Sequence, residues 1–155
     1  MIVRKIKSQE EMAKCVDMYI DIYENEIIPL DRDKSLLSMR RHVAAGQFFK
    51  VIEDNGEVIA WIAGAVLERE FIAEKYMQQI YYCSNQKGMK AYRCVVLLHK
   101  ALIEESKKLN IRHVLSTGSH ADTENVFVKI LGKNGWSVRN YLAIWRNDEI
   151  HMGTA

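Results

Sequence analysis

Proline is almost missing from this chain: Pro29 is the single example in 155 residues. There is also no low-complexity segment and no internal repeat, so nothing marks a linker, and the expected organisation is one domain spanning residues 1–155. Cysteine is scarce too. Cys15, Cys83 and Cys94 are odd in number, far apart and set in apolar stretches, and no Cys-x-x-Cys occurs. This argues against a disulfide framework and predicts free thiols in a reducing compartment. A formal net charge of only +2 leaves no electrostatic footprint for nucleic acid. No apolar run reaches the roughly 18 residues that a bilayer span requires, and Met1 to Lys7 alternates where a signal peptide would have an apolar core. A cytoplasmic location is expected, with neither membrane nor nucleic acid as partner. The five histidines include no pair at metal-ligand spacing, so no metal site is expected.

What is present is an ordinary globular composition, 48% hydrophobic and 27% charged, enough for a single core. Ile2 to Ile6 is short, alternating and β-rich, and reads as a strand. Ser8-Gln9-Glu10-Glu11 has the form of a capping box, and Met12, Cys15, Val16, Tyr19, Ile22 and Tyr23 follow at helical spacing to about Glu24. A second helix is expected from about Asp33 to Ala45, stopped by Gly46. Gln47 to Glu53 and Glu57 to Leu67 are apolar runs on either side of Asp54-Asn55-Gly56, a hairpin signal because Asn and Gly tolerate positive φ. After a loop over residues 68–73, Glu74 to Cys83 reads as a fourth strand.

Ser84-Asn85-Gln86-Lys87-Gly88-Met89-Lys90 then turns into a long amphipathic helix with Ala91, Val95, Leu98, Leu102 and Leu109 on one face. A strand, a polar turn with glycine and a helix start form a recurrent anion-binding arrangement, since the first N–H groups of a helix have no intrahelical partner and the dipole is positive there. His99 and His113 are expected on helix and strand surfaces and His42 on the second helix. Ile111 to Ser116 reads as a fifth strand, followed by the turn Thr117-Gly118-Ser119-His120. Asp122 or Thr123 can cap a helix containing Val126, Phe127, Ile130 and Leu131 and ending near Gly135. Trp136 to Arg139 and Tyr141 to Arg146 are the last strands.

This order, together with Ser84 to Lys90 and the ending Lys133-Asn134-Gly135-Trp136, resembles the GNAT superfamily of N-acetyltransferases over nearly the whole chain. The resemblance implies an α+β, α/β/α-layered fold with a mixed sheet of six to seven strands and about four helices. It also implies acetyl-CoA as acyl-donor cosubstrate, an amine acceptor, and acetyl transfer to a small molecule or protein by direct attack. The expected partners are a coenzyme A thioester and an amine, with a second copy of the chain as a homodimer partner. Two alternatives stay open: a catalytically inactive GNAT-fold binding or structural subunit, and a sensor that binds coenzyme A without turnover.

In that family the pyrophosphate sits on a turn of pattern Arg/Gln-x-x-Gly-x-Gly/Ala, which aligns here with Asn85, Gln86, Lys87, Gly88, Met89 and Lys90. The first glycine is kept, asparagine and lysine hold the outer positions, and Lys87 and Lys90 could add charge-assisted contacts. By the same resemblance Tyr81, Tyr82 and Cys83 are expected beside the acetyl and pantetheine portions, and Asn125 near the cofactor. Where relatives often carry a glutamate base this chain has Gln78 and Gln79, and where they carry a tyrosine acid it has Leu131. His120, following the fifth strand and with an unperturbed pKa near 6.5, is therefore the expected base, with Glu124 and Ser119 behind it. The acceptor side is expected from helices one and two and the 68–73 loop, where Glu24, Glu26, Asp31 and Asp33 could attract an amine.

Overall fold

The computed structural model describes residues 1–24, 29–117, 126–139 and 142–147. In chain order these residues form β1 (Ile2–Arg4), α1 (Gln9–Tyr23), α2 (Arg32–Ala44), β2 (Phe48–Asp54), β3 (Glu57–Leu67), β4 (Tyr76–Ser84), α3 (Gly88–Lys108), β5 (His113–Thr117), α4 (Val126–Lys133), β6 (Ser137–Arg139) and β7 (Leu142–Arg146). The strands make one mixed sheet in the order β1-β2-β3-β4-β5-β7-β6. Every described pairing is antiparallel except that of β4 with β5. The helix between these two strands, α3, supplies the crossover that a parallel pair requires. Seven strands and four helices match the expected layered α+β architecture.

The central strands are apolar on both faces because helices cover both. On β3, Ala60 and Ile62 join the core under α3 and α4, while the alternate residues Trp61 and Ala63 join the core under α1 and α2. Phe48 and Ile52 on β2 face the first core, and Phe49 and Val51 face the second. Fully burying Leu98 and Leu102 of α3 contributes roughly 1.5–3 kcal/mol each. Arg4 stitches three elements at one edge, donating to both Glu11 carboxylate oxygens at 2.9 and 2.5 Å and to Glu53 at 2.7 Å.

The terminators follow the sequence. Asn55 and Gly56 have φ of 52° and 83°, the pair of positive values that a tight β2–β3 hairpin needs. Gly135, with φ 89°, ends α4 so that Trp136 N–H donates back to Leu131 O at 3.2 Å. That turn drives the Trp136 ring into the core against His99, 5.6 Å between centroids. The expected Lys133-Asn134-Gly135-Trp136 ending is thus a helix stop plus a core anchor.

Candidate functional site

The site begins where two strands part. β4 and β5 pair only through Tyr76↔His113, Met77↔Val114 and Gln78↔Leu115, yet β4 continues to Ser84 and β5 to Thr117. Within β4 the register against β3 jumps from Ala63↔Tyr81 to Gly64↔Gln79, leaving Ile80 as an extra residue. The bulge also switches the phase of the side chains. Met77 belongs to the core under α3, whereas Cys83, an even number of residues later, belongs to the core under α1. Tyr82 is thereby turned toward α3 and α4, and Tyr81 toward α1 and α2.

A buried polar chain closes the fork. Gln79, Ser116 and His99 are 6%, 0% and 1% exposed. Ser116 Oγ hydrogen-bonds the Gln79 side-chain amide and lies 3.1 Å from His99 Nε2, and His99 Nδ1 donates to Val95 O at 2.8 Å. With Gln79 Oε1 toward Ser116, the serine proton goes to glutamine, and His99 needs protons on both nitrogens because a carbonyl only accepts. With that amide turned over, Gln79 donates to Ser116 and Ser116 donates to a neutral His99. Burial pushes His99 down to about 4, which selects the second arrangement at neutral pH. His99, expected on a helix surface, is thus a core residue. Its position four residues after Val95 and three before Leu102, inside the buried arc, was the available signal.

On the α3/α4 side the parted strands adjoin a cavity of about 740 Å³. Tyr82, Ser84, Gln86, Gly88 and Met89 line one wall, while Phe127, Lys129, Ile130 and Lys133 line the other. The start of α3 opens onto it. Ser8 caps α1 and Asp31 caps α2, each accepting a backbone N–H, but Lys87 gives α3 no side-chain cap, and its first turn holds no acidic residue. Gly88 has φ 58°, and a Cβ there would meet nothing within 4 Å. Ser84 Oγ accepts from Gln86 N–H at 3.2 Å and shapes the turn. Tyr82 Oη is buried with no hydrogen-bond partner among the described residues. Burial, outweighing a favourable influence of Ser84, pushes its pKa well above the ordinary phenol value, so the hydroxyl keeps its proton.

Asn85, Lys87 and Lys90 stand outside this lining. Lys90, expected to face phosphate, instead reaches Asp54 at 2.6 Å. Cys83 is fully buried under α1, and burial pushes its thiol up to about 12, so only its backbone faces the fork. The positive wall of Lys129 and Lys133 escaped sequence reasoning, which treated α4 as an apolar helix. Ser119, His120, Glu124 and Asn125 lie outside the described residues, as does Glu26.

On the opposite face Tyr81 joins Tyr19, Trp61, Lys34, Ser35 and Ser38 around a second cavity of about 270 Å³. Among the described residues, neither the 68–73 loop nor Glu24, Asp31 or Asp33 lines it. Asp31 is spent as the α2 cap, Asp33 lies 3.8 Å from Arg32, and Glu24 caps the end of α1. Among the described residues no cluster of His, Cys, Asp or Glu could hold a metal, and no helix is long and apolar enough to cross a membrane.

The chain has the fold of GNAT acetyltransferases. It is similar to YncA of Salmonella typhimurium, solved with its cofactor acetyl-CoA, at TM-score 0.75 and 14% identity over 99% of this chain and 98% of that one. It is similar to the GNAT-superfamily phosphinothricin acetyltransferase of Sinorhizobium meliloti in complex with acetyl-CoA, at TM-score 0.69 and 13% identity over 94% and 86%. PaiA N-acetyltransferase of Thermoplasma acidophilum, in complex with coenzyme A, aligns at TM-score 0.65 and 15% identity over 94% and 98%. No protein-family model matches the sequence, and neither does any curated protein.

Proposed function

We propose that this protein is an acyl-CoA-dependent N-acyltransferase that moves an acetyl group from acetyl-CoA to a primary amine. The observation that carries the reading is the cavity of about 740 Å³ running from the open β4 edge to the uncapped start of α3. Its size falls in the usual range for ligand sites, and its contents suit a thioester with a pyrophosphate. The unpaired N–H groups of Gly88, Met89 and Lys90 suit the phosphates, with Gln86 beside them and Lys129 and Lys133 opposite. The Tyr82 hydroxyl is a protonated donor in need of an acceptor.

In the reaction the amine attacks the thioester carbonyl, a C–N bond forms as the C–S bond breaks, and coenzyme A leaves as the thiolate, which takes up the proton that the amine releases. The amine proton must pass to a base. We assign that role to His120 from its place just beyond β5, with Glu124 and Ser119 as substitutes from the same segment and Asn125 as a cofactor contact. A second reading, a catalytically inactive binding subunit, is favoured by one observation: Gln79, at a position where relatives often carry a carboxylate, is locked in a neutral hydrogen-bond chain.

Thermal denaturation with acetyl-CoA tests the first step. At 100 times its dissociation constant a ligand of the folded state adds about 2.7 kcal/mol, and no stabilisation would remove both the enzyme and the sensor. Thiol release with a panel of amines then separates transfer from binding. An unchanged rate in His120→Ala would eliminate His120 as the base.

A further inference from the structure

The second cavity carries information about the acceptor, and we infer that it binds a primary amine bearing a large apolar or aromatic group and a carboxylate, an amino-acid-like molecule in place of a polyamine. The inference deepens the acyltransferase reading and rests on it for the fate of the amine. Its walls are aromatic. Tyr19 lies 5.8 Å from Trp61 and 5.5 Å from Tyr81, the latter edge-on, so the rings form a three-sided apolar surface. Rings at these separations offer faces and edges to another flat or apolar group.

One donor in this wall has no partner among the described residues. Trp61 is 2% exposed, and its indole Nε1–H is buried without a hydrogen bond to any described residue. A buried donor left unmade costs roughly 1–3 kcal/mol, and its resonance reports on whatever fills the cavity that its ring lines. The remaining polar groups have one sign. Lys34 forms no ion pair with any described residue, and it stands with the Ser35 and Ser38 hydroxyls on the same stretch of α2. An ammonium and two hydroxyls suit an anionic oxygen. They oppose a second fixed cation, which is why a diamine fits poorly although aromatic faces alone would attract it. The nearby acids do not reverse this field, since Asp17 is paired with Arg32 and Asp31 caps α2.

The cavity is also correctly placed. Tyr81 lines it while its neighbour Tyr82 lines the larger cavity on the other face of β4, so a ligand with its carboxylate on α2 can direct its amine past Tyr81 toward the open side of the strand. The volume of about 270 Å³ limits the acceptor to a compact molecule.

The test uses nitrogen-15 NMR of the full chain, with the Trp61 indole resonance identified by its loss in Trp61→Phe. L-Phenylalanine, L-phenylalaninamide and 1,4-diaminobutane are titrated with and without saturating coenzyme A. The expected result is a saturable shift of the Trp61 resonance with phenylalanine, a weaker response to the amide and none to the diamine. Lys34→Met should weaken phenylalanine about fivefold, the scale of a partly exposed charge pair, and leave the amide unchanged. The inference is overturned if phenylalanine gives no saturable shift in either condition, if the diamine shifts the resonance as strongly, or if Lys34→Met keeps the preference for acid over amide. Coenzyme A binding is read from thermal stability on the same samples. A Trp61 response without coenzyme A binding upholds the pocket and removes the transfer reaction, whereas coenzyme A binding beside a silent Trp61 removes the pocket alone.

Discussion

Lys90 Nζ lies 2.6 Å from Asp54 Oδ2, so the first turn of α3 is tied to the tip of the β2–β3 hairpin. The same carboxylate receives the N-terminal amine at 3.1 Å, and Lys90 is the leading cause holding its pKa below the ordinary value. The charge of Lys90 is therefore engaged away from the cavity, and Lys129, which lines it, is the phosphate partner under the proposed function. By calorimetric titration, Lys90→Ala should leave the coenzyme A dissociation constant within about twofold, while Lys129→Ala should raise it about fivefold, as loss of one exposed charge-assisted contact does.

Gly64 of β3 packs against Leu102 of α3. An added Cβ would meet Leu102 Cδ1 at 2.6 Å and Gln78 O at 3.4 Å, and Leu102 is itself fully buried. Gly64→Ala should destabilise the fold by about 1–3 kcal/mol, the usual cost of overpacking. Urea denaturation should show a lower midpoint with an unchanged slope.

The buried His99 imposes a pH dependence of definite sign. Its folded pKa is about 4 against an unperturbed 6.5, so between these values the unfolded chain binds the extra proton. Stability therefore falls as pH falls from 6.5 to 5, by roughly 1–2 kcal/mol. Carboxylates held low by cations, Glu11 by Arg4 foremost, add a loss of the same sign that begins in the carboxylate range. In His99→Gln the slope between pH 6.5 and 5 should vanish while the acidic limb remains. A parallel slope in the variant would show that His99 is not its source.

Tyr82→Phe separates the cost of an orphaned hydroxyl from its use. Without ligand the variant should be as stable as the parent or more so by roughly 1 kcal/mol, since a buried donor without a partner among the described residues is removed. The stabilisation given by acetyl-CoA should shrink at the same time. A lower melting temperature in the unliganded variant would mean that the hydroxyl already has a partner.

Much of the fold was legible because local chemistry and periodicity agree on it. Asn55-Gly56 fixed the hairpin, Ser8 and Glu11 fixed the start of α1, and Gly135 with Trp136 fixed the end of α4. The site was less legible because it depends on where pairing stops. Nothing in Tyr76 to Ser84 announces that the ladder to β5 ends at Gln78, or that Ile80 is the unpaired residue. Lys90 could not be assigned to Asp54 without the register of two other strands. Trp61 reads in the sequence as one more large residue of a buried strand, and only three-dimensional packing reveals a donor with no partner among the described residues.

The extra residue in β4 has a further consequence. Side chains alternate along a strand, so the parity of its residue count decides which wall each one decorates. A regular ladder that kept Ile80, with the Tyr76 end held in place by β5, would turn the two tyrosines around, Tyr81 toward α3 and Tyr82 toward α1, whereas excising Ile80 would leave both facing as they do. One unpaired residue in β4 thus decides which tyrosine each of the two cavities receives.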